Sequence, residues 1–249
     1  MIEFKNITKR FGNVTALNNV SFVVEKGSAC GYIGPNGAGK TPTARIIGGL
    51  ERPDSGKVII AGDDASKGTT RNVVGYVPES PRLYDTLTPR ETVALAALLR
   101  SFDKTLAMER LGMMGEIFHF TEYLLKPLSG LSKGTKQKVV ISLAIIFHPE
   151  VLVLDEPTDG LDVQAVVALK QIISTFTKLG GTVFYSSHLL DIVEGVCSKV
   201  YFINAGNIAG EYSKDDFIGK RGYLENALIE SIGTSNAQQL IDAFFEDPH

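Results

Sequence analysis

Residues 34–41 read Gly-Pro-Asn-Gly-Ala-Gly-Lys-Thr, a glycine-rich run closed by a lysine and a hydroxyl. The spacing satisfies GxxxxGK[ST] at every fixed position, and such a run is suited to holding phosphate. Gly34, Gly37 and Gly39 let successive backbone N–H groups turn inward. A helix opening at Lys40 adds partial positive charge beside anionic oxygens. Pro35, Asn36 and Ala38 complete the loop. Lys40 is spaced to reach the β- and γ-phosphates, and the Thr41 hydroxyl to ligate Mg²⁺. Further along, Val151-Leu-Val-Leu-Asp155-Glu156 ends four apolar residues in two carboxylates. Asp155 suits a metal ion, directly or through water. Glu156 suits a general base that polarises an attacking water, as phosphoryl transfer to water requires.

Elements that can position these groups are legible around them. Ile2 and Phe4 alternate with Glu3 and Lys5, and Val20, Phe22 and Val24 alternate with polar or small partners, a period-2 pattern of strands. Cys30–Ile33 is a short apolar strand that runs straight into the phosphate loop, and 40–47 reads as the helix behind it, closed by Gly48-Gly49. Val58–Ile60 is another strand. From about 85 to 147 helical periodicity takes over, in Pro89–Ser101, Lys104–His119 and Lys136–Phe147. Val151–Leu154 and Thr182–Ser186 are then continuous apolar or β-branched runs, as parallel strands covered on both faces should be. Helices at 163–179 and 189–197 separate and follow them. The pattern predicts a doubly wound α/β core interrupted by a helical block, with a polar tail after about 214 and a weak helix near 222–231. A parallel strand presents its C-terminal end to the ligand crevice, which puts Asp155 and Glu156 where a phosphate loop opens.

Composition narrows the function. The 249 residues carry 25 Lys+Arg against 28 Asp+Glu, a net charge of −3, so the basic excess that drives nucleic-acid binding is lacking. The apolar run Val139–Phe147 stops far short of the roughly 20 residues of a membrane span, and Met1-Ile-Glu-Phe-Lys5 does not read as a signal peptide. Cys30 and Cys197 form no CxxC and read as buried thiols. These features predict a cytoplasmic globular protein.

With these motifs in this order, the chain resembles the ATPase subunit of an ATP-binding cassette (ABC) transporter over about 1–215. The family's signature is an LSGGQ-like segment that opens a helix, and two frames compete for it here, Leu128-Ser129-Gly130 and Leu131-Ser132-Lys133-Gly134-Thr135. The second is preferred because Lys136-Gln137-Lys138 follows it, as the basic, Gln-containing helix start of the family does. Asp159-Gly-Leu-Asp162 resembles the D-loop, His188 the switch histidine, Phe11 the aromatic on which adenine stacks, and Glu79 in Tyr76-Val-Pro-Glu79 the Q-loop residue. His119 and His148 match no motif.

The resemblance implies a P-loop NTPase core with an N-terminal antiparallel β-subdomain. In it, residues 1–84 and 148–215 form the core, 85–147 a helical signature subdomain, and 216–249 a tail. ATP and Mg²⁺ are the implied cofactors, with Glu156, His188 and Glu79 in catalysis and Thr41, Asp155 and Glu79 near the metal. Ser132, Gly134 and Asp162 would serve nucleotide bound at a dimer interface, where the signature of one subunit completes the site of another. The implied partners are a second ATPase subunit, in a homodimer or a heterodimer, and a transmembrane permease driven through the block near Glu79–Thr92. The subunit would sit on the cytoplasmic face of the membrane. Val-Pro-Glu79, the Ser-Lys-Gly signature and the Leu224–Ile229 tail resemble exporter ATPases of the drug, bacteriocin and lipid type. The rival readings are a nucleotide-binding module with weak hydrolysis and a soluble ABC protein of translation or DNA repair. The latter needs tandem cassettes or a long coiled coil.

Three positions depart from the family pattern. Pro42 stands where Thr or Ser normally offers an N–H and a hydroxyl to the α-phosphate, and it is expected to push Thr41 away from helical dihedrals. Glu79 replaces Gln beside the metal and phosphates. Lys133 adds a positive charge near the site of the opposite subunit.

Overall fold

The apolar-polar alternation at the start of the chain does form strands. The computed structural model describes residues 1–188, 190–220 and 222–232. In it β1 (Ile2–Phe11) and β2 (Val14–Val24) make an antiparallel hairpin. Next come β3 (Ala29–Ile33), the phosphate loop and α1 (Lys40–Ile47). β4 (Ser55–Ile60) and β5 (Asp63–Asp64) return to the hairpin and complete a sheet of order β2-β1-β4-β5. β6 (Val74–Val77) then enters a second sheet.

Three helices separate β6 from the next strand: α2 (Pro89–Leu99), α3 (Lys104–Ile117) and α4 (Lys133–Ile146). Their starts are fixed by capping. Thr88 and Glu91 form a reciprocal capping box with Pro89 at the first helical position, and Ser132 accepts from the Thr135 N–H at 3.1 Å. α4 therefore opens one turn before the expected Lys136, and its start falls in the second signature frame. Leu128–Gly130, the rival frame, is a single 3₁₀ turn.

β7 (Val151–Asp155), α5 (Val163–Lys178), β8 (Thr182–Ser187) and α6 (Leu190–Val196) follow as expected. Beyond them, β9 (Lys199–Asn204) and β10 (Asn207–Ser213) form a hairpin that no sequence pattern announces, as none announces β5 or β6. α7 (Lys214–Phe217) and α8 (Tyr223–Ile232) end the described chain. α8 buries Leu224 and Ala227, so this part of the expected tail is packed, whereas residues 233–249 lie outside the described residues.

The second sheet has the order β10-β9-β3-β8-β7-β6, parallel except where β10 meets β9. Apart from the edge strand β10, whose residues are exposed or half-buried, its strands are covered on both faces, and side chains alternate between two apolar clusters with the period of the pleat. Cys30, Tyr32 and Phe184 point to the first sheet and α1, where Phe4 stacks on Phe22 at 4.5 Å. Ile33, Val183 and Tyr185 point to the other face, toward the helices. The α/β reading of a mostly parallel sheet, an antiparallel β-layer and an inserted helical block is the observed architecture.

Candidate functional site

The pairing places the chemistry. β8 lies between β3 and β7, with Ile33 beside Ser187 and Asp155 beside Ser186. The C-terminal ends of β3, β7 and β8 therefore converge on one edge of the sheet. The phosphate loop, Asp155-Glu156 and His188 leave the sheet there, and β6 delivers Glu79 alongside. The resulting cleft of about 290 Å³ is lined by Pro35, Asn36, Gly37, Gly39, Lys40, Thr41, Pro42, Glu79, Glu156 and, from β2, Ala16.

Two glycines of the loop are sterically obligatory. A Cβ on Gly34 would lie 2.1 Å from the Ile203 carbonyl oxygen. At Gly39 the backbone has φ +114° and a Cβ would lie 2.7 Å from the Ala16 carbonyl oxygen. Both contacts are with backbone, so no side-chain motion relieves them.

Lys40 is buried. Its ammonium donates to the Gly34 carbonyl at 2.7 Å and lies 3.4 Å from Glu156 Oε1. The other carboxylate oxygen of Glu156 meets His188, at 2.9 Å from Nδ1 and 3.4 Å from the backbone N–H. Since a carboxylate only accepts, Nδ1 carries the proton in that contact. Glu156 has φ +46°, in the left-handed region uncommon for a residue with a side chain. That turn aims its carboxylate back across the strand end toward Lys40 and His188. One carboxylate thus meets a buried ammonium through one oxygen and an imidazole through the other.

Asp155 is fully buried. Its Oδ1 accepts from Ser186 Oγ at 2.5 Å, and its Oδ2 has no partner. Burial raises its carboxyl above the ordinary range, the hydroxyls of Ser186 and Thr41 oppose that shift, and the charges of Glu79 and Glu156 add to it. An idle buried carboxylate oxygen beside a hydroxyl is a donor set that fits a hard cation such as Mg²⁺, which takes one or two protein oxygens and fills the rest of its shell with water and phosphate. Among the described residues no three His, Cys, Asp or Glu side chains converge as an all-protein cage. The expected displacement of Thr41 by Pro42 does not occur. Thr41 lies in the first turn of α1, and a proline so near the helix start meets no preceding turn.

The remaining candidates lie outside the cleft lining. Phe11 is 45% exposed at the β1–β2 turn, with the Lys9 ammonium 5.2 Å from its ring centre. Ser132 and Gly134 open α4, and a Cβ on Gly134 would stand 2.3 Å from the Gly160 carbonyl oxygen. Asp162 caps α5 through the Ala165 N–H at 2.8 Å and pairs with Lys138 at 2.6 Å. Lys133 pairs with Asp159 at 2.5 Å. Ser186, which holds Asp155, is missed by sequence reasoning, because nothing in a run of strand residues marks one hydroxyl as facing the next strand.

Comparison with known proteins agrees with this geometry. The family model described as "ABC transporter" matches residues 17–159. The linearmycin resistance ATP-binding protein LnrL of Bacillus subtilis is 32% identical over 224 residues, 89% of this chain and 72% of that protein. The lantibiotic transport ATP-binding protein SrtF of Streptococcus pyogenes is 33% identical over 215 residues, 86% of this chain and 92% of that one. A solved ATP-binding subunit of an ABC transporter superposes with a TM-score of 0.82 at 30% identity, covering 97% of this chain and 98% of the other. A dimeric cassette in a post-hydrolysis state with ADP and Pi gives 0.75 at 25% identity, over 86% of this chain and 99% of that one. Cleft, carboxylates and relatives lead to one reading: the chain belongs to the ABC transporter family, as an ATP-binding subunit that hydrolyses its nucleotide.

Proposed function

We propose that this subunit powers export of an antimicrobial or lipid-like cargo through a separate membrane subunit, working as a dimer on the cytoplasmic face of the membrane. The relatives named for linearmycin resistance and lantibiotic transport support the direction and the cargo class. The dimeric relative with ADP and Pi supports the assembly. Among the described residues no helix is long and apolar enough to cross a membrane.

The observation that carries the mechanism is the shared carboxylate of Glu156. The loop amides and Lys40 bind and orient the β- and γ-phosphates. Glu156 takes a proton from the attacking water, and His188 holds that carboxylate in place through Nδ1. Asp155 and Thr41 would hold Mg²⁺, with Glu79 beside them, and the ion supplies charge neutralisation on the phosphates. Phe11 offers an exposed ring for the base. Ser132, Gly134 and Asp162 serve the nucleotide of the opposite subunit, which makes ATP the closing element of the dimer and hydrolysis the opening one.

In this reading residues 1–84 and 148–215 are the ATPase core and 85–147 the signature subdomain. The permease is driven through the block near Glu79–Thr92, beside a groove of about 460 Å³ lined by Arg45, Leu50, Pro78, Arg82, Leu83 and Val140. Glu156→Gln is the test. The amide keeps the shape but cannot accept the proton, so ATP binding should persist while turnover falls by about 10²-fold or more. Size-exclusion chromatography should then show an ATP-dependent dimer. Turnover at the parental rate would place the base elsewhere.

A further inference from the structure

Gln137 lies in the second turn of α4 and is fully buried. Its Nε2 donates to the Pro157 carbonyl at 3.1 Å. A carbonyl only accepts, so this contact fixes the amide orientation and leaves Oε1 pointing into the interior with no partner. A buried acceptor left idle is unfavourable relative to an apolar side chain of similar shape. The helix itself does not call for an amide here, since Val139, Val140 and Ile141 beyond it are buried and apolar. The reason for a glutamine at 137 therefore lies at the other end of its hydrogen bond.

That end is the residue after Glu156. Glu156 sits at φ +46°, and Pro157 has no N–H with which to tie the turn down. The closing bond within the turn, from the Asp159 N–H to the Glu156 carbonyl, is long at 3.4 Å. The Glu156 N–H is tied to the Ser186 carbonyl at 3.1 Å, and the residues after it are gripped from outside the turn by α4. Gln137 grips Pro157, Lys133 grips Asp159, Lys138 grips Asp162, and Gly134 lets the Gly160 carbonyl come close. The Lys133–Asp159 pair is more than half exposed on both sides and adds little. Gln137 provides the one buried grip of the four at the residue next to Glu156.

We infer that Gln137 is a positioning residue for hydrolysis: through the Pro157 carbonyl it holds the turn that carries Glu156, so α4 sets the geometry of the base in its own subunit. This inference rests on the reading of Glu156 as the base. It also gives α4 two tasks. Its first turn faces the nucleotide of the opposite subunit and its second turn holds the base of its own, so one helix links the two sites.

The test compares Gln137→Met, which keeps volume and removes the donor, with the parent. A base misplaced by about an ångström loses on the order of 10²-fold in rate, so kcat should fall roughly 10- to 100-fold. KM and the affinity for ATP should stay within about twofold, because the phosphate loop is untouched. The melting temperature should hold or rise slightly, since the idle Oε1 is gone while the Pro157 carbonyl loses its donor. The discriminating measurement is the double mutant. In a Glu156→Gln background Gln137→Met should cause no further loss of the residual turnover, because there is no base left to position. A fall of the same size in both backgrounds would assign Gln137 a merely structural role. If Gln137→Met does not fold, Gln137→Asn, an amide one methylene shorter, should show a kcat loss at unchanged ATP affinity. Parental kcat in either variant overturns the inference alone, whereas parental turnover in Glu156→Gln overturns the base assignment and the inference with it.

Discussion

Replacing Pro42 by Thr should tighten the binding of ADP and ATP alike. Pro42 lines the cleft in the first turn of α1, where neither an N–H nor a hydroxyl is available to an α-phosphate oxygen. The next residue does not compensate. The Thr43 hydroxyl is buried and donates to the Gly39 carbonyl at 2.9 Å, 3.4 Å from the Tyr32 hydroxyl, and its N–H closes a helical bond to Gly39 at 3.1 Å. Each hydrogen bond restored to a charged oxygen is worth about 1.5–3 kcal/mol. Because the cleft is open to water, the lower value applies, and one such bond gives roughly a tenfold gain in affinity. Without nucleotide the variant should be less stable by about 0.4–1 kcal/mol, because proline restricts the unfolded chain. The two effects have opposite signs: the empty variant melts lower than the parent, and saturating ADP raises its melting temperature more. Calorimetric titration with both nucleotides, paired with thermal melts, reads both. A gain confined to ATP, or no gain for either nucleotide, refutes the α-phosphate account, since ADP and ATP share that phosphate.

Three further outcomes are expected. Lys40→Ala should weaken ATP binding about ten- to hundredfold, because a charge-assisted contact contributes about 1.5–3 kcal/mol, and equal affinities by calorimetry would remove Lys40 from the phosphates. Asp155→Asn should gain stability over the nucleotide-free parent as pH rises above the ordinary carboxylate range. Burial holds the folded carboxyl above its ordinary value, so its contribution is present at low pH and lost as pH climbs through the raised value; parallel melting curves across that range would contradict the shift. Gly134→Ala should cost both turnover and stability. Its Cβ would stand 2.3 Å from the Gly160 carbonyl oxygen, so α4 and the turn after Glu156 must separate, and a variant with parental melting and turnover would show that they do not depend on that contact.

The phosphate loop, the carboxylate pair and the strand–helix order were legible because each is encoded locally. A run of glycines before Lys40, or four apolar residues before Asp155, has few alternative uses. The missed strands are encoded less plainly, the two-residue β5 reading as a turn. β6 is only four residues, Val74-Gly-Tyr-Val, and its glycine weakens the pattern, yet a Cβ there would lie 2.2 Å from the Ala144 carbonyl, so the glycine is what lets α4 pack on it. β9 and β10 draw their order from pairing with β3 and with each other, which no local window contains. The contacts of Ser186 with Asp155 and of Gln137 with Pro157 cross 31 and 20 residues of sequence, and long-range hydrogen bonds of this kind leave no periodicity to read. Helical periodicity alone starts α4 at Lys136, a turn late, whereas the hydroxyl of Ser132, a cap that sequence does offer, decides the boundary.

The contact between Lys40 and Glu156 has a consequence for how the subunit meets its ligand. The ammonium proposed to receive phosphate already has a carboxylate counter-ion 3.4 Å away inside the fold. Nucleotide arrival is therefore an exchange of one anion for another at a fixed cation, and it adds no charge to an empty, solvated lysine. Such a displacement draws little on the ion atmosphere of the solution, because the anion released belongs to the protein. The apparent affinity for ATP should consequently depend less on ionic strength than that of a phosphate site built on exposed lysines.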